Sequence, residues 1–341
     1  MEPSPDAVAV ALDEIDALVR RALHRHGADE ANAGAVARTI AAAERDGAES
    51  HGLFRLAGYC ASLDSGKANG RAAPVVTRPA PGAVDVDAGR GFAPLALEAG
   101  LPLLVDVARD QGVAVLAVRR CLHFAALWPE AEAIAAAGLV GFACTAATPM
   151  VAPAGAATPF YGTNPIAFAV PRPGKAPLAI DQASAAMARG DVMLAARAGR
   201  TVPEGVGLDA EGRPTTDPGA ILDGAQLAFG GVKGASIALM VEMLAGAVAG
   251  GEFSDEAGAA DNADGGPPIG AEFLLAIDPA RFGRAEDWQA RADAYLDRLL
   301  GLRGTRLPGA RRHANRAVSL AAGEARVAAV TLETARRLAG G

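Results

Sequence analysis

Cysteine is scarce in this chain, and the cysteines that occur are not spaced as pairs. Three are present among 341 residues, Cys60, Cys121 and Cys144, and no CxxC motif occurs. So few separated thiols indicate a reducing compartment, without a disulfide framework or a redox dithiol. We therefore expect a cytoplasmic protein that folds without covalent cross-links.

Several motifs of common enzyme classes are also absent. The sequence contains no GxGxxG, GxxxxGK[ST] or HExxH pattern. These absences remove the usual sequence support for a Rossmann dinucleotide site, a P-loop kinase and a zinc protease. His24 and His26 are the only closely spaced histidines, and no carboxylate cluster accompanies them, so we expect no metal site.

Charge and apolar residues are not concentrated in any one segment. The net charge of −7 comes from interspersed acids and bases, which argues against a nucleic-acid partner. The opening residues are acidic and lack the basic-then-apolar order of a secretory signal. The apolar stretch 237–248 contains Glu242 and is too short to span a bilayer, so we expect no membrane partner.

The hydrophobic pattern that is present predicts a mixed α/β fold. A chain of this length with 51% hydrophobic residues can bury a sizeable core and divide it between two domains. Two amphipathic helices precede residue 46, and helices at 95–110 and 127–137 then alternate with strands at 113–118 and 140–145. The stretch 250–266, rich in Gly, Asp and Ala, predicts a mobile surface loop.

Two histidines stand in unusual local settings. In ESHGLFRLAGY, Ser50, His51 and Arg55 bring together a hydroxyl, an imidazole that can pass a proton and a guanidinium that can grip a carboxylate. The alternative is a histidine at a helix end beside a surface arginine. In RCLHFAALWP, His123 is either a residue of a functional site or a half-buried ring packed against Phe124.

Four further motifs allow a functional and a plain structural interpretation. GTNPIAFAVP predicts a turn entering a buried strand, and in ARGDV the carboxylate of Asp191 either orients an imidazole or faces solvent. FGGVKG precedes an apolar helix, so Lys233 and nearby amides either receive a phosphate or form an ordinary glycine loop. RLPGARR either holds a second phosphate or keeps the surface soluble.

In this order, SHGLFRLAGY, HFAALWPE, GTNPIAFAVP, ARGDV, FGGVKG and RLPGARR resemble the malate/L-lactate dehydrogenase family, over about residues 5–315. SHGLFR and HFAALWP are most similar to its Δ1-piperideine-2-carboxylate/Δ1-pyrroline-2-carboxylate reductase branch. The resemblance implies a non-Rossmann NAD(P)-binding α/β fold. It also implies that residues 1–117 with 300–341 form a substrate and dimerisation scaffold, and that 118–299 form a nucleotide-binding domain.

The resemblance further implies a cytoplasmic homodimer that reduces a cyclic imino acid. NADPH, or alternatively NADH, would deliver hydride to C2, and the product would be L-proline or L-pipecolate. This activity would belong to proline and pipecolate metabolism, including lysine degradation. Two alternatives stay open, namely a 2-oxo acid reductase of the malate, lactate or ureidoglycolate dehydrogenase kind and a non-catalytic dimeric homologue.

Roles for single residues follow from the same resemblance. His51 would be the proton donor, with Ser50 and Asp191 as its relay, while Arg55 and Thr163 would hold the substrate carboxylate. The cofactor would contact His123, Phe124, Ala125, Ala126, Leu127, Asp181, Gln182, Ala183, Val232, Lys233, Thr305, Arg306, Leu307, Pro308, Gly309, Ala310 and Arg311. Val232 stands where the family usually carries histidine, and Gln182 also departs from the family pattern, which predicts altered cofactor affinity.

Overall fold

A computed structural model of the chain describes residues 6–283 and 286–341. Its strands are β1 (Ala7–Ala11), β2 (Val75–Ala80), β3 (Ala83–Asp87), β4 (Val113–Leu122), β5 (Val140–Thr145), β6 (Val151–Ala152), β7 (Ile166–Val170), β8 (Leu178–Gln182), β9 (Gly207–Leu208), β10 (Pro214–Thr215), β11 (Ala225–Leu227), β12 (Ile269–Ile277) and β13 (Glu324–Ala328). Its helices are α1 (Leu12–Arg25), α2 (Glu30–Arg45), α3 (Leu56–Asp64), α4 (Ala93–Gln111), α5 (Trp128–Ala136), α6 (Arg189–Arg197), α7 (Pro218–Asp223), α8 (Val232–Val241), α9 (Ser254–Ala259), α10 (Trp288–Leu300), α11 (Ala310–Ala322) and α12 (Ala329–Leu338).

Seven strands form the main sheet, in the order β2-β3-β4-β12-β5-β7-β8. The β3–β4 pair is parallel, and the other neighbours are antiparallel. Helices α4 and α5 bury their apolar faces on one side of this sheet, where Leu104, Leu116, Ile134 and Leu274 are fully buried. The late strand β12 therefore joins β4 to β5 at the centre of the sheet.

A helical unit built from α1, α2, α3 and α12 packs beside the sheet. Its own core contains Ile15, Val19, Ile40, Leu56 and Leu332. Strands β1 and β13 pair antiparallel within it. The end of α2 and the turns that follow it are thereby directed toward the strand ends of the main sheet.

A small sheet of order β10-β9-β11-β6 forms the remaining side of the molecule. Helices α6 and α7 cover it and bury Val192, Val202 and Ile221. This arrangement places the first turn of α6 opposite the turns that follow α2.

The structure confirms the predicted mixed α/β class, and it corrects the expectation for 250–266. That stretch contains helix α9, and the Ser254 hydroxyl accepts a hydrogen bond from the Gly162 N–H at 2.8 Å. The domain division stays a prediction, and its first boundary falls inside β4. No helix among the described residues is long and apolar enough to cross a membrane.

Candidate active site

A cavity of about 380 Å³ lies where the helical unit, the main sheet and α6 meet. Its wall comes from the turns after α2, the ends of β4, β5 and β8, and the first turns of α6 and α11. Loops and strand ends that converge on a rigid scaffold are common places for binding and catalysis. The volume suits a small organic substrate.

Ser50 and His51 occupy a short 3-10 turn, Glu49–His51, in the cavity wall. The Ser50 hydroxyl and His51 Nδ1 lie 3.1 Å apart, within hydrogen-bond distance. Burial, with the nearby charges of Arg55 and His123, lowers the pKa of His51 to about 3. The imidazole is therefore uncharged at neutral pH when the cavity holds no ligand.

Arg55 follows on a second 3-10 turn, Leu53–Arg55, and is 9% exposed. Its Nε donates to the Ser50 carbonyl at 2.7 Å, and its guanidinium carbon lies 4.4 Å from the centre of the Phe124 ring. Burial lowers the pKa of Arg55 to about 10, so the side chain remains charged at neutral pH. No carboxylate among the described residues forms a salt bridge with it.

Helix α6 packs directly against this pair of turns. A Cβ added at Gly190 would lie 2.7 Å from Arg55 Nη2 and 3.1 Å from the Ser50 carbonyl oxygen, so glycine permits the close approach. The next residue, Asp191, lines the cavity in the first turn of α6. Thr163 lines the opposite wall, where its carbonyl accepts the Ser184 N–H at 2.8 Å.

The predicted cofactor residues fall into two groups. Eight of them line the cavity: His123, Phe124, Ala125, Ala126, Asp181, Gln182, Ala183 and Arg311. Leu127 is buried behind the wall, and Val232 and Lys233 are exposed in the first turn of α8, outside the cavity. The segment that leads into α11 does not line the cavity. It comprises Thr305, Arg306, Leu307, Pro308, Gly309 and Ala310.

Asp181 lies at the end of β8 and already has partners in the protein. One of its oxygens accepts the N–H groups of Leu127 and Trp128 at 3.0 and 2.9 Å, which caps the start of α5. Burial raises the pKa of Asp181 to about 6, although these hydrogen bonds act in the opposite direction. The carboxylate thus fixes the position of the preceding cavity segment, 123–126.

The rest of the wall has two features that a bound nicotinamide cofactor would use. Thr145, Ala146, Ala147 and Thr148 follow β5 with small side chains, which leave room for a flat ring. Arg311 lies exposed in the first turn of α11 at the cavity, with no salt-bridge partner among the described residues. A cationic helix start can hold phosphate groups.

Sequence reasoning missed several wall residues. Thr145–Thr148 could have been found, because the residues after a buried strand often form sites. Gly266, Pro267 and Pro268 had no such signal, since they end or directly follow the stretch predicted to be a mobile loop. In the structure that stretch is anchored by a buried ion pair between Lys67 and Asp264.

The sequence profile of the malate/L-lactate dehydrogenase family matches residues 10–334. The chain belongs to this family. Two relatives are the Δ1-pyrroline-2-carboxylate/Δ1-piperideine-2-carboxylate reductase of Pseudomonas aeruginosa and the Δ1-pyrroline-2-carboxylate reductase of Pseudomonas fluorescens. The first is 47% identical over 89% of this chain and 92% of its own, and the second is 45% identical over 92% and 94%.

Solved structures of the family share the fold. The crystal structure of Δ1-piperideine-2-carboxylate reductase from Pseudomonas syringae superposes with a TM-score of 0.91 at 43% identity, covering 97% of this chain and 99% of that one. A putative malate/lactate dehydrogenase from E. coli gives a TM-score of 0.90 at 26% identity, covering 98% and 96%. The predicted family and fold are confirmed, and the chain is a dehydrogenase-family oxidoreductase.

Proposed function

We propose that this malate/L-lactate dehydrogenase family member reduces the cyclic imino acids Δ1-pyrroline-2-carboxylate and Δ1-piperideine-2-carboxylate to L-proline and L-pipecolate. The observation that carries the proposal is Arg55, a buried cation without a carboxylate partner among the described residues, beside the uncharged His51. A small substrate carboxylate completes the hydrogen bonding of this guanidinium. The names of the relatives support the imino acid as the substrate class.

Substrate binding changes the charge around His51. The carboxylate bound by Arg55, with Thr163 beside it, offsets the positive charge that disfavours protonation of the imidazole. His51 then holds a proton for the ring nitrogen of the substrate, while Ser50 and Asp191 orient the imidazole and resupply that proton. The bound nicotinamide supplies the hydride.

The wall favours an imine over a neutral carbonyl. Once His51 has passed its proton to the ring nitrogen, the protonated imine carries a positive charge and the imidazole is uncharged again. The carboxylates of Glu49 and Asp191 in the cavity wall attract this cation, and the uncharged imidazole does not repel it. A 2-oxo acid would lack this attraction, although it would bind Arg55 in the same way.

The finer assignments belong to the same proposal. We infer that NADPH is the preferred nucleotide, because Arg311, which has no salt-bridge partner among the described residues, offers a cation at the cavity to the ribose phosphate that NADH lacks. We also propose a cytoplasmic homodimer in which the exposed Val232 and Lys233 and the segment 305–310 contact cofactor at the shared cleft.

The test follows the absorbance of reduced nicotinamide with NADPH and with NADH. The two cyclic imino acids, pyruvate and oxaloacetate are supplied in parallel. Oxidation with the imino acids alone is the expected result. Oxidation with the oxo acids alone would replace the proposal with a hydroxy-acid dehydrogenase, and no oxidation in any case would favour a non-catalytic homologue.

A further inference from the structure

Three ionisable side chains meet where His123 joins the cavity wall. His123 follows β4, Glu130 lies in the first turn of α5, and Glu272 lies in the central strand β12. Glu272 is fully buried, Glu130 is 6% exposed, and the His123 side chain is 6% exposed. Three different elements thus bring one imidazole and two carboxylates together in the interior.

The facing atoms are too far apart to bond to one another. His123 Nε2 lies 3.6 Å from a Glu272 oxygen and 4.0 Å from a Glu130 oxygen, and the three ligand atoms all lie within 4.8 Å of one another. Both Glu272 oxygens, one Glu130 oxygen and His123 Nε2 are buried without a hydrogen-bond partner in the described chain. Buried polar atoms normally have partners, so these four atoms are placed to bind a group held between them.

Charge and spacing indicate what that group is. No lysine or arginine in the described ranges forms a salt bridge with Glu130 or Glu272, and two buried carboxylates without a cation are costly. One divalent ion neutralises both. Atoms held about 2.0–2.6 Å from a common ion are roughly 3 to 5 Å apart, which agrees with the observed spacing.

We propose that His123, Glu130 and Glu272 form a binding site for one divalent metal ion, either Mn²⁺ or Zn²⁺. An imidazole nitrogen suits zinc and carboxylate oxygens suit manganese, so this mixed set fits both. The ion connects β4, α5 and β12. Because His123 also lines the cavity, the ion reaches the site from there and fixes the orientation of that ring.

Metal binding by tag-free, chelator-treated protein tests the proposal without measuring activity. Titration calorimetry with MnCl₂ and with ZnCl₂ should give one ion per chain, and the ion should raise the unfolding temperature. Removing a group that only hydrogen-bonds to a metal ligand weakens metal binding by roughly 10- to 100-fold. Glu272→Gln removes a ligand itself, so it should weaken binding by more than that. The control Glu49→Gln removes a carboxylate from the cavity wall and should bind the ion as the wild type does.

Two results would overturn the metal site. One is the absence of stoichiometric binding of either ion up to about 1 mM, an affinity too weak for a built site. The other is wild-type affinity in both Glu272→Gln and Glu130→Gln. Circular dichroism of the metal-free variants establishes that they fold, and since an amide removes a buried charge, they should unfold no earlier than the metal-free wild type.

Discussion

Asp46 and Arg55 are both buried ions at the same cavity, but only Asp46 has its charge fully paired. Asp46 accepts from Arg45 at 2.7 Å, from Arg316 at 2.9 Å and from the Trp128 indole at 3.2 Å. Although burial acts to raise it, hydrogen bonds from Arg316 and Arg45 hold the pKa of Asp46 below its usual value. Arg55 has a carbonyl and aromatic faces around it, and Asp191 acts on it only from beyond salt-bridge distance in the described chain.

The difference separates structural ions from ligand-binding ions. The Asp46 network ties the end of α2 to α11 and α5, and Arg316 also reaches Glu132 at 2.8 Å. A charged group whose hydrogen bonds are all made within the protein has none free to bind a ligand. A charge buried without a partner costs stability, and a protein retains it where a ligand supplies the missing partner.

The largest expected effect is the loss of turnover when the proton donor beside Arg55 is removed. His51→Ala should lower turnover of the imino acid by about 10²- to 10⁴-fold, because a positioned general acid contributes that much. Binding of NADPH, followed by fluorescence, should persist. The control His26→Ala, whose imidazole pairs with Asp64 and does not line the cavity, should leave turnover unchanged. Unchanged turnover in His51→Ala would remove the assigned role.

Breaking the complete network should cost stability. Arg316→Ala leaves the fully buried Asp46 carboxylate short of its main partner and should lower the free energy of unfolding by about 3 kcal/mol. Arg55→Met, at the unpaired site, should lower it much less or raise it. Urea unfolding of both variants measures the contrast, and equal losses would contradict it.

Replacing the Arg55 guanidinium by the point charge of a lysine should weaken substrate binding. Arg55→Lys removes the planar fork that holds a carboxylate with two bonds and should raise KM for the imino acid by roughly 10- to 100-fold. Arg197→Lys is the matched control, since Arg197 stacks on the Phe54 ring at 4.6 Å but does not line the cavity. Steady-state kinetics should show a normal KM for that control.

A methyl group at the contact between α6 and Arg55 should have a smaller effect. In Gly190→Ala the new Cβ would meet Arg55 Nη2 at 2.7 Å, so the guanidinium must shift. We expect kcat/KM to fall roughly 10-fold, less than the 10²-fold cost of a full 1 Å misplacement. Gly82→Ala meets only the Val113 carbonyl oxygen at 3.5 Å, and its kcat/KM should equal that of the wild type.

The last effect, on the pH dependence of stability, concerns an acid whose pairing is intermediate between those of Asp46 and Arg55. Glu44 has one oxygen bonded to the Leu53 N–H at 2.7 Å and the other without a partner, and burial raises the pKa of Glu44 to about 8. The folded chain therefore keeps this proton to higher pH than the unfolded chain does. Stability from this group is complete below about pH 4.5 and is lost as the pH approaches 8.

Glu44→Gln isolates that contribution, because the amide oxygen still accepts from Leu53. The wild type should lose stability relative to the variant between about pH 4.5 and 8. Thermal unfolding at a series of pH values measures the difference. A constant difference across this range would contradict the raised pKa.

The local part of the fold was predictable from the sequence. Helix α4 and strand β5 are found within a few residues of their predicted positions, because hydrophobic period and flanking glycines act over short distances. The pairing of β12 with β4 and β5 was not predictable, since strand pairing depends on contacts between distant segments.

The candidate site was predictable in its residue types but not in its geometry. Ser50, His51 and Arg55 are close in sequence, so their meeting on two consecutive turns follows from spacing. Asp191 reaches them only through the fold. For the cluster of His123, Glu130 and Glu272, the sequence contains one indication, a lone glutamate in the apolar run GAEFLLAI. A search for metal ligands that are close in sequence does not find it.

The central position of β12 also sets an order of events during synthesis. Strands β4 and β5 leave the ribosome well before β12, yet each pairs with β12 and not with the other. Until residues 269–277 emerge, both strands have open edges that can pair with another chain. Folding of the main sheet therefore waits for contacts between segments that are distant in sequence. We expect the nascent chain to need a chaperone most before residues 269–277 emerge.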